Sequence, residues 1–228
     1  MEAPQQLIPT FYCNLAPKSD FMRTVLLVIL ICFAFGIKAQ DQDALHQQLT
    51  NQRFETMRSL LDYRFKGGSG EFERMFLKTA EYTDEARKNC VVGTVIMTFT
   101  VSCDNVISEL KFRNPMHYGL NETLQQFMEA TEGMWNECQD EKYTRFEIPV
   151  LFTLKNTETN ARGFITLVGD SPGFTCRSDS YYLERFEKYK AKGKKKKALE
   201  MLDQLMHRDP YNTRFHDLKR ELLNTKSE

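Results

Sequence analysis

An α+β fold is predicted for this chain: a small antiparallel sheet in ββαβ order with one covering helix, followed by a C-terminal helical hairpin. Three observations predict it. Two runs, 94–101 and 106–113, alternate apolar and polar residues around a polar turn. A third alternating run, 145–154, follows one amphipathic helical stretch. From Asp179 onward the alternation gives way to helical spacing. The chain has 228 residues, 41% hydrophobic and 27% charged, which suits one or two folded domains and excludes a disordered polymer. Lys+Arg and Asp+Glu both number 31, so nothing in the overall charge points to a chain built around nucleic acid.

Residues 1–39 read as an address rather than as fold. Arg23 precedes an apolar run from Val25 to Ile37, 13 residues long, where a bilayer-spanning helix needs about 20. The run fits the apolar region of a secretory signal peptide, with Ile37 and Ala39 at the −3 and −1 positions and cleavage before Gln40. Ile31 before Cys32 excludes a lipidation signal, which needs a small residue there. The segment before Met22, with Pro4, Pro9, Pro17 and Cys13, is unlike a leader, so Met22 is the favoured start. The alternative is an uncleaved inner-membrane anchor with the rest facing the periplasm.

The mature elements follow in order. Leu45, Leu49, Phe54, Met57, Leu60, Leu61 and Phe65 give residues 40–66 the spacing of an amphipathic helix, which Lys66-Gly67-Gly68-Ser69-Gly70 breaks. Phe72, Met75 and Phe76 suit a second short helix. Val95, Met97, Phe99 and Val101 line one face of the first strand, and Ser102-Cys103-Asp104-Asn105 supplies a hairpin turn to Val106–Arg113. Asn121 can cap the next helix, whose stripe is Leu124, Phe127, Met128, Thr131 and Met134/Trp135. In the last strand Phe146, Ile148, Val150, Phe152 and Leu154 share a face. Pro149 inside it lacks an N–H and so predicts an edge strand or a bulge. Gly163–Val168 is a candidate further strand, and 157–178 otherwise reads as linker.

No catalytic constellation is present. His46, His117, His207 and His216 fall in no recognised motif, and Cys103 beside Asp104 has no identifiable activating base. No catalytic, cofactor or metal residue is assigned. Export leaves four cysteines, Cys90, Cys103, Cys138 and Cys176, in a compartment that permits disulfides; four cysteines allow three full pairings.

Residues 67–156 resemble the TonB C-terminal domain family. Tyr82, Ala86, Gly93 and Val95 stand at the spacing of its opening motif, and the strands, the helix, Trp135 and the Pro149-containing last strand follow in the family's order. Thr83 replaces the usual proline, and Cys90 and Cys138 occupy positions commonly small in the family. The Pro-rich span of an energy transducer is missing. The resemblance implies recognition through backbone: the last strand, 145–153, offers its edge to a peptide or protein segment of the envelope or outer membrane, as in TonB-dependent transport. Arg145, Glu147, Leu151 and Thr153 are the implied contact residues. Two outcomes stay open, an exposed edge or one covered by Gly163–Val168. On this topology Cys103 and Cys138 meet at one end of the sheet, and Cys90 meets Cys176 at the other; the alternative is four free thiols.

The tail, 179–228, resembles a single tetratricopeptide repeat, with Tyr182, Tyr189, Gly193, Ala198 and Pro210 at repeat positions and Arg185 departing from the apolar pattern. One repeat cannot bury its own faces, so it docks on the sheet domain, on a partner or on another copy in a homo-oligomer. The lysine-rich stretch Lys188–Lys197 between its helices is either a solvated loop or a contact for an anionic membrane surface. The expected role is thus a non-enzymatic, exported interaction module of the periplasm. A TonB-type transducer and an envelope scaffold working through its tail are the alternatives.

Overall fold

The computed structural model describes residues 44–138 and 142–224. The signal segment, its cleavage site, the start of the 40–66 helix and the last four residues lie outside the described residues. Seven helices and one four-stranded sheet make up the described part, a mixed α/β composition that fits an α+β class. In chain order these are α1 (44–64), α2 (Gly68–Thr79), α3 (Asp84–Lys88), β1 (Gly93–Ser102), β2 (Ile107–Arg113), α4 (Leu120–Ala130), β3 (Tyr143–Leu154), β4 (Ile165–Gly169), α5 (Asp179–Ala191), α6 (Lys195–Arg208) and α7 (Thr213–Asn224).

The sheet order is β2-β1-β3-β4. β1 pairs antiparallel with both β2 and β3, whereas β4 runs parallel to β3, so the sheet is mixed rather than antiparallel throughout. One face is apolar because the period-2 alternation of β1 and β3 is in register: Val95 faces Val150, Met97 faces Ile148 and Phe99 faces Phe146. The last pair stacks with ring centroids 5.0 Å apart.

Three helices cover this face, not one. Met57 and Leu61 come from α1, Phe72 and Phe76 from α2, and Leu120, Leu124, Phe127 and Met128 from α4, all within the same core. Edge-on aromatic contacts link them: Phe65 to Phe72 at 5.1 Å, Phe72 to Phe127 at 5.0 Å and Phe65 to Trp135 at 5.0 Å. Such pairs prefer this geometry because the ring edge is positive and the face negative. The front of α1 departs from expectation, since Leu45 and Leu49 are more than half exposed.

The cap expected of Asn121 is replaced by a tighter turn. Tyr118 and Gly119 both adopt left-handed backbone, Gly119 is the N-cap residue, and the Asn121 side-chain oxygen accepts instead from the Met116 N–H. Pro149 is also placed differently: β3 is an interior strand. The Pro149 carbonyl accepts from the Phe164 N–H, on the β4 side. A strand residue directs its N and O to the same side. The missing N–H therefore falls just ahead of the β3–β4 ladder, which starts at Val150, and costs the sheet no bond.

Two disulfides close opposite ends of the sheet. Cys103 and Cys138 join with Cα atoms 4.9 Å apart, and Cys90 joins Cys176 at 5.6 Å. Beside the first, Arg64 is fully buried and donates to the carbonyls of Asn136 and Ser102 and to the Thr144 hydroxyl. One side chain of α1 thus ties the β1 turn to the start of β3.

In the tail, α5 and α6 form a hairpin with its own small core of Tyr182, Phe186, Ala198, Leu202 and Leu205, to which α7 adds Leu222. The hairpin docks on the polar face of the sheet. The Asn114 side-chain amide donates to the carbonyls of both Thr94 and His207, and the Tyr211 hydroxyl donates to Glu147 at 2.6 Å. Gly93 makes the approach feasible, because a Cβ there would sit 2.8 Å from the His207 carbonyl oxygen.

Candidate functional site

The sheet has two terminal strands, and the chemistry of their edges differs. On β2 the register slips between Thr98 and Thr100 of its neighbour, Glu109 is left-handed, and Lys111 and Arg113 are exposed. A bulge and charges blunt an edge against further pairing. β4, with the sequence Ile-Thr-Leu-Val-Gly, carries no charge, no proline and no left-handed residue.

The direction of its backbone groups follows from one bond. The Gly169 carbonyl accepts from the Lys155 N–H, so Gly169 faces β3. By alternation Thr166 and Val168 turn their N–H and C=O groups outward, away from the sheet. Val168 is 51% exposed, whereas Ile165 and Leu167 are buried in the core. At the C-terminal end of this strand a Cβ on Gly169 would come within 2.7 Å of the Tyr82 ring. Tyr82 in turn packs near Phe152 and donates its hydroxyl to the Val91 carbonyl. Burial pushes its phenol far up, so it stays a neutral donor.

The residues expected at an open β3 edge are therefore dispersed. Leu151 and Thr153 pair with Thr166 and Val168 inside the sheet. Glu147 is engaged by Tyr211 and by Arg113, 2.7 Å away. Arg145 is exposed opposite Thr100. Beside this part of β3 lies a cleft of about 400 Å³, walled by Leu49, Gln52, Arg53, Thr56 and Met57 of α1 together with Glu147. The covering of β3 over 150–154 was one of the two outcomes left open by the sequence, and the strand that ends the sheet is β4.

A second concavity, about 750 Å³, opens where the tail meets the sheet. His117, Tyr118, Phe174, Arg177 and His207 line it, with the Cys90–Cys176 disulfide in its wall. Burial holds the His207 imidazole below its ordinary value, and its electrostatic interactions with His117 and with the Arg208 guanidinium add to the effect. Behind it Arg208 is buried against Asp179 at 2.7 Å and donates also to the Arg177 carbonyl. Asp209, next in sequence, lies 3.5 Å from His46, and burial raises its carboxyl above the usual range. Among the described residues no group of three or more His, Cys, Asp or Glu side chains could hold a metal ion.

The repeat-position residues all lie in the hairpin. Ala198 is fully buried, Tyr182 is buried, Tyr189 packs against that core, Gly193 is left-handed in the turn, and Pro210 follows α6. No sequence signal marked Arg64, Asp179 or Arg208 as anchors, because their partners lie far off in the chain. No family model matches this chain, and no curated protein or solved structure matches it either. Among the described residues no helix is long and apolar enough to cross a membrane.

Proposed function

We propose that this protein is an exported, non-enzymatic interaction module that takes up an extended segment of an envelope protein as an added strand on β4. The observation that carries the reading is the unblunted β4 edge, with the N–H and C=O groups of Thr166 and Val168 directed outward beside a blunted β2. Main-chain pairing supplies affinity in this mode, and alternate side chains supply selectivity. The resemblance of residues 67–156 to TonB C-terminal domains supports strand addition as the mode and an outer-membrane transport protein as the partner. The two disulfides support an oxidising, periplasmic compartment.

Val168→Pro tests this. It removes an outward N–H while leaving the inward ladder from Leu167 and Gly169 in place. Peptides selected by display on the folded protein should shift the amide resonances of Thr166 and Val168 and lose at least about tenfold in affinity for the variant, with its circular dichroism unchanged. Peptides that bind Val168→Pro normally, or map to the His117–His207 concavity, would rule out strand addition at β4.

A further inference from the structure

We infer that the tip of the α5–α6 hairpin is an electrostatic docking surface for an anionic lipid bilayer. Lys188, Lys190, Lys192, Lys194, Lys195, Lys196 and Lys197 fill seven of ten successive positions, without one acidic residue between them. The fold gathers them at one end of the tail: the last turn of α5, the left-handed turn at Gly193 and the first turn of α6. Lys195 donates to the Leu223 carbonyl, and the other six are exposed.

Some cations elsewhere in the chain meet carboxylates. Arg58 meets Glu55, Arg87 meets Asp84, Lys155 meets Asp170 and Lys219 meets Asp203. Among the described residues none of the six exposed tip lysines has a carboxylate partner. The tip is also built against helix stability. Lys194 stands at the N-cap of α6 with no side-chain cap, and the first turn holds lysines and no acid. Positive charge at a helix N-terminus adds to the positive end of the dipole. In a chain of zero formal net charge, this concentrates positive field at one end of the hairpin.

The composition identifies the partner. All seven are lysines and none is arginine. Ammonium groups are hydrated point charges without the planar fork that docks on a defined carboxylate or phosphate, so they suit a diffuse anionic plane better than a shaped protein site. Tyr189, the one aromatic in the run, sits under Lys197, so no stacking platform for single-stranded nucleic acid is offered.

The test is co-sedimentation of the full chain with phosphatidylcholine vesicles and with vesicles containing about 30% phosphatidylglycerol, at low and high salt. Arg23 and Lys38 beside the apolar run 25–37 also respond to anionic lipid, so the comparison with the lysine variant below isolates the tip. Anionic lipid should strengthen binding on the order of a hundredfold, and the gain should vanish at high salt. Most of it should also be lost in the variant Lys188→Gln/Lys192→Gln/Lys194→Gln/Lys196→Gln, whose β4 edge and peptide binding are untouched. Equal partition onto the two vesicle types, or full binding by the variant, would overturn the proposal. So would displacement from anionic vesicles by polyglutamate or single-stranded RNA at matched charge, which would assign the tip to those polymers.

Discussion

The sheet body and the tail hold themselves together by different means. The body has 22 buried apolar residues in one cluster, among them seven phenylalanines and the single tryptophan, and three helices close it. The tail cluster has six. A core of that size does not offset the entropy of ordering three helices, so the tail depends on what ties it to the sheet: the Arg208–Asp179 pair, the Cys90–Cys176 bridge and the contacts of His207 and Tyr211. A large core makes a unit independent, and a small one makes it a dependant of its neighbours.

Arg208→Ala is the strongest way to break this contrast. Removing one partner of a buried ion pair strands the Asp179 carboxylate and costs about 3–5 kcal/mol. Trp135 is the single tryptophan and lies in the sheet core, so its fluorescence follows the body while far-ultraviolet circular dichroism follows all helices. The variant should lose helical signal at a urea concentration where Trp135 is still native; coincident loss of both signals would show one cooperative unit.

The bridge comes next. Cys90→Ser/Cys176→Ser should cost about 2–4 kcal/mol, seen as an earlier tail transition. Its chain separation is 86 residues against 35 for Cys103–Cys138. On loop entropy alone it is the more stabilising by about 0.8 kcal/mol. If Cys103→Ser/Cys138→Ser moves the tail transition more than the first pair does, the tethering account fails.

The smallest expected effect is that of pH. His207 takes up a proton less readily in the folded protein than at the unfolded value of 6.5, owing to burial, then His117, then Arg208. The unfolded chain therefore binds that proton first as pH falls. The contribution to stability is complete above about 6.5 and declines below it, until the lower folded-state value is passed. Asp209 has the opposite sign, because burial raises its carboxyl and its ionisation opposes folding as pH rises. His207→Gln separates the two: the tail midpoint of the parent, relative to the variant, should fall between pH 7.5 and 5.5. A constant difference would remove His207 from the account.

What the sequence made legible was local. The strand β1 and its turn follow from period-2 alternation and from Asn105, which adopts the left-handed conformation the turn needs. Both cysteine pairings were implied by the strand order of the resemblance, with four free thiols as the alternative, and the structure forms both. What was not legible depends on distant chain. Pro149 signals a missing donor but not which side of β3 it faces. β4 is five residues, too short for periodicity to distinguish from linker, yet it decides which edge is open. Leu45 and Leu49 have core-type spacing and are nevertheless exposed, because the front half of α1 turns other side chains inward: His46 beside Asp209, the buried Thr50, and Arg53 over the Tyr211 ring. Arg64, the most buried charge among the described residues, sits between Tyr63 and Phe65 with nothing local to mark it.

The connection from β3 to β4, residues 155–164, is fastened by a residue made later. Thr159 and the Asn160 N–H donate to one oxygen of Asp179, while Arg208 holds the other. Synthesis runs from the N-terminus, so the crossover loop and β4 leave the ribosome well before Arg208 does. Until that arginine arrives, the second Asp179 oxygen lacks its charged partner and the clasp on the loop is incomplete. The fourth strand is thus sealed by nearly the last residues to emerge. A chain stopped short of α6 should hold β4 less firmly against the outer side of β3 from Val150 to Leu154, the side that the finished protein reserves for itself.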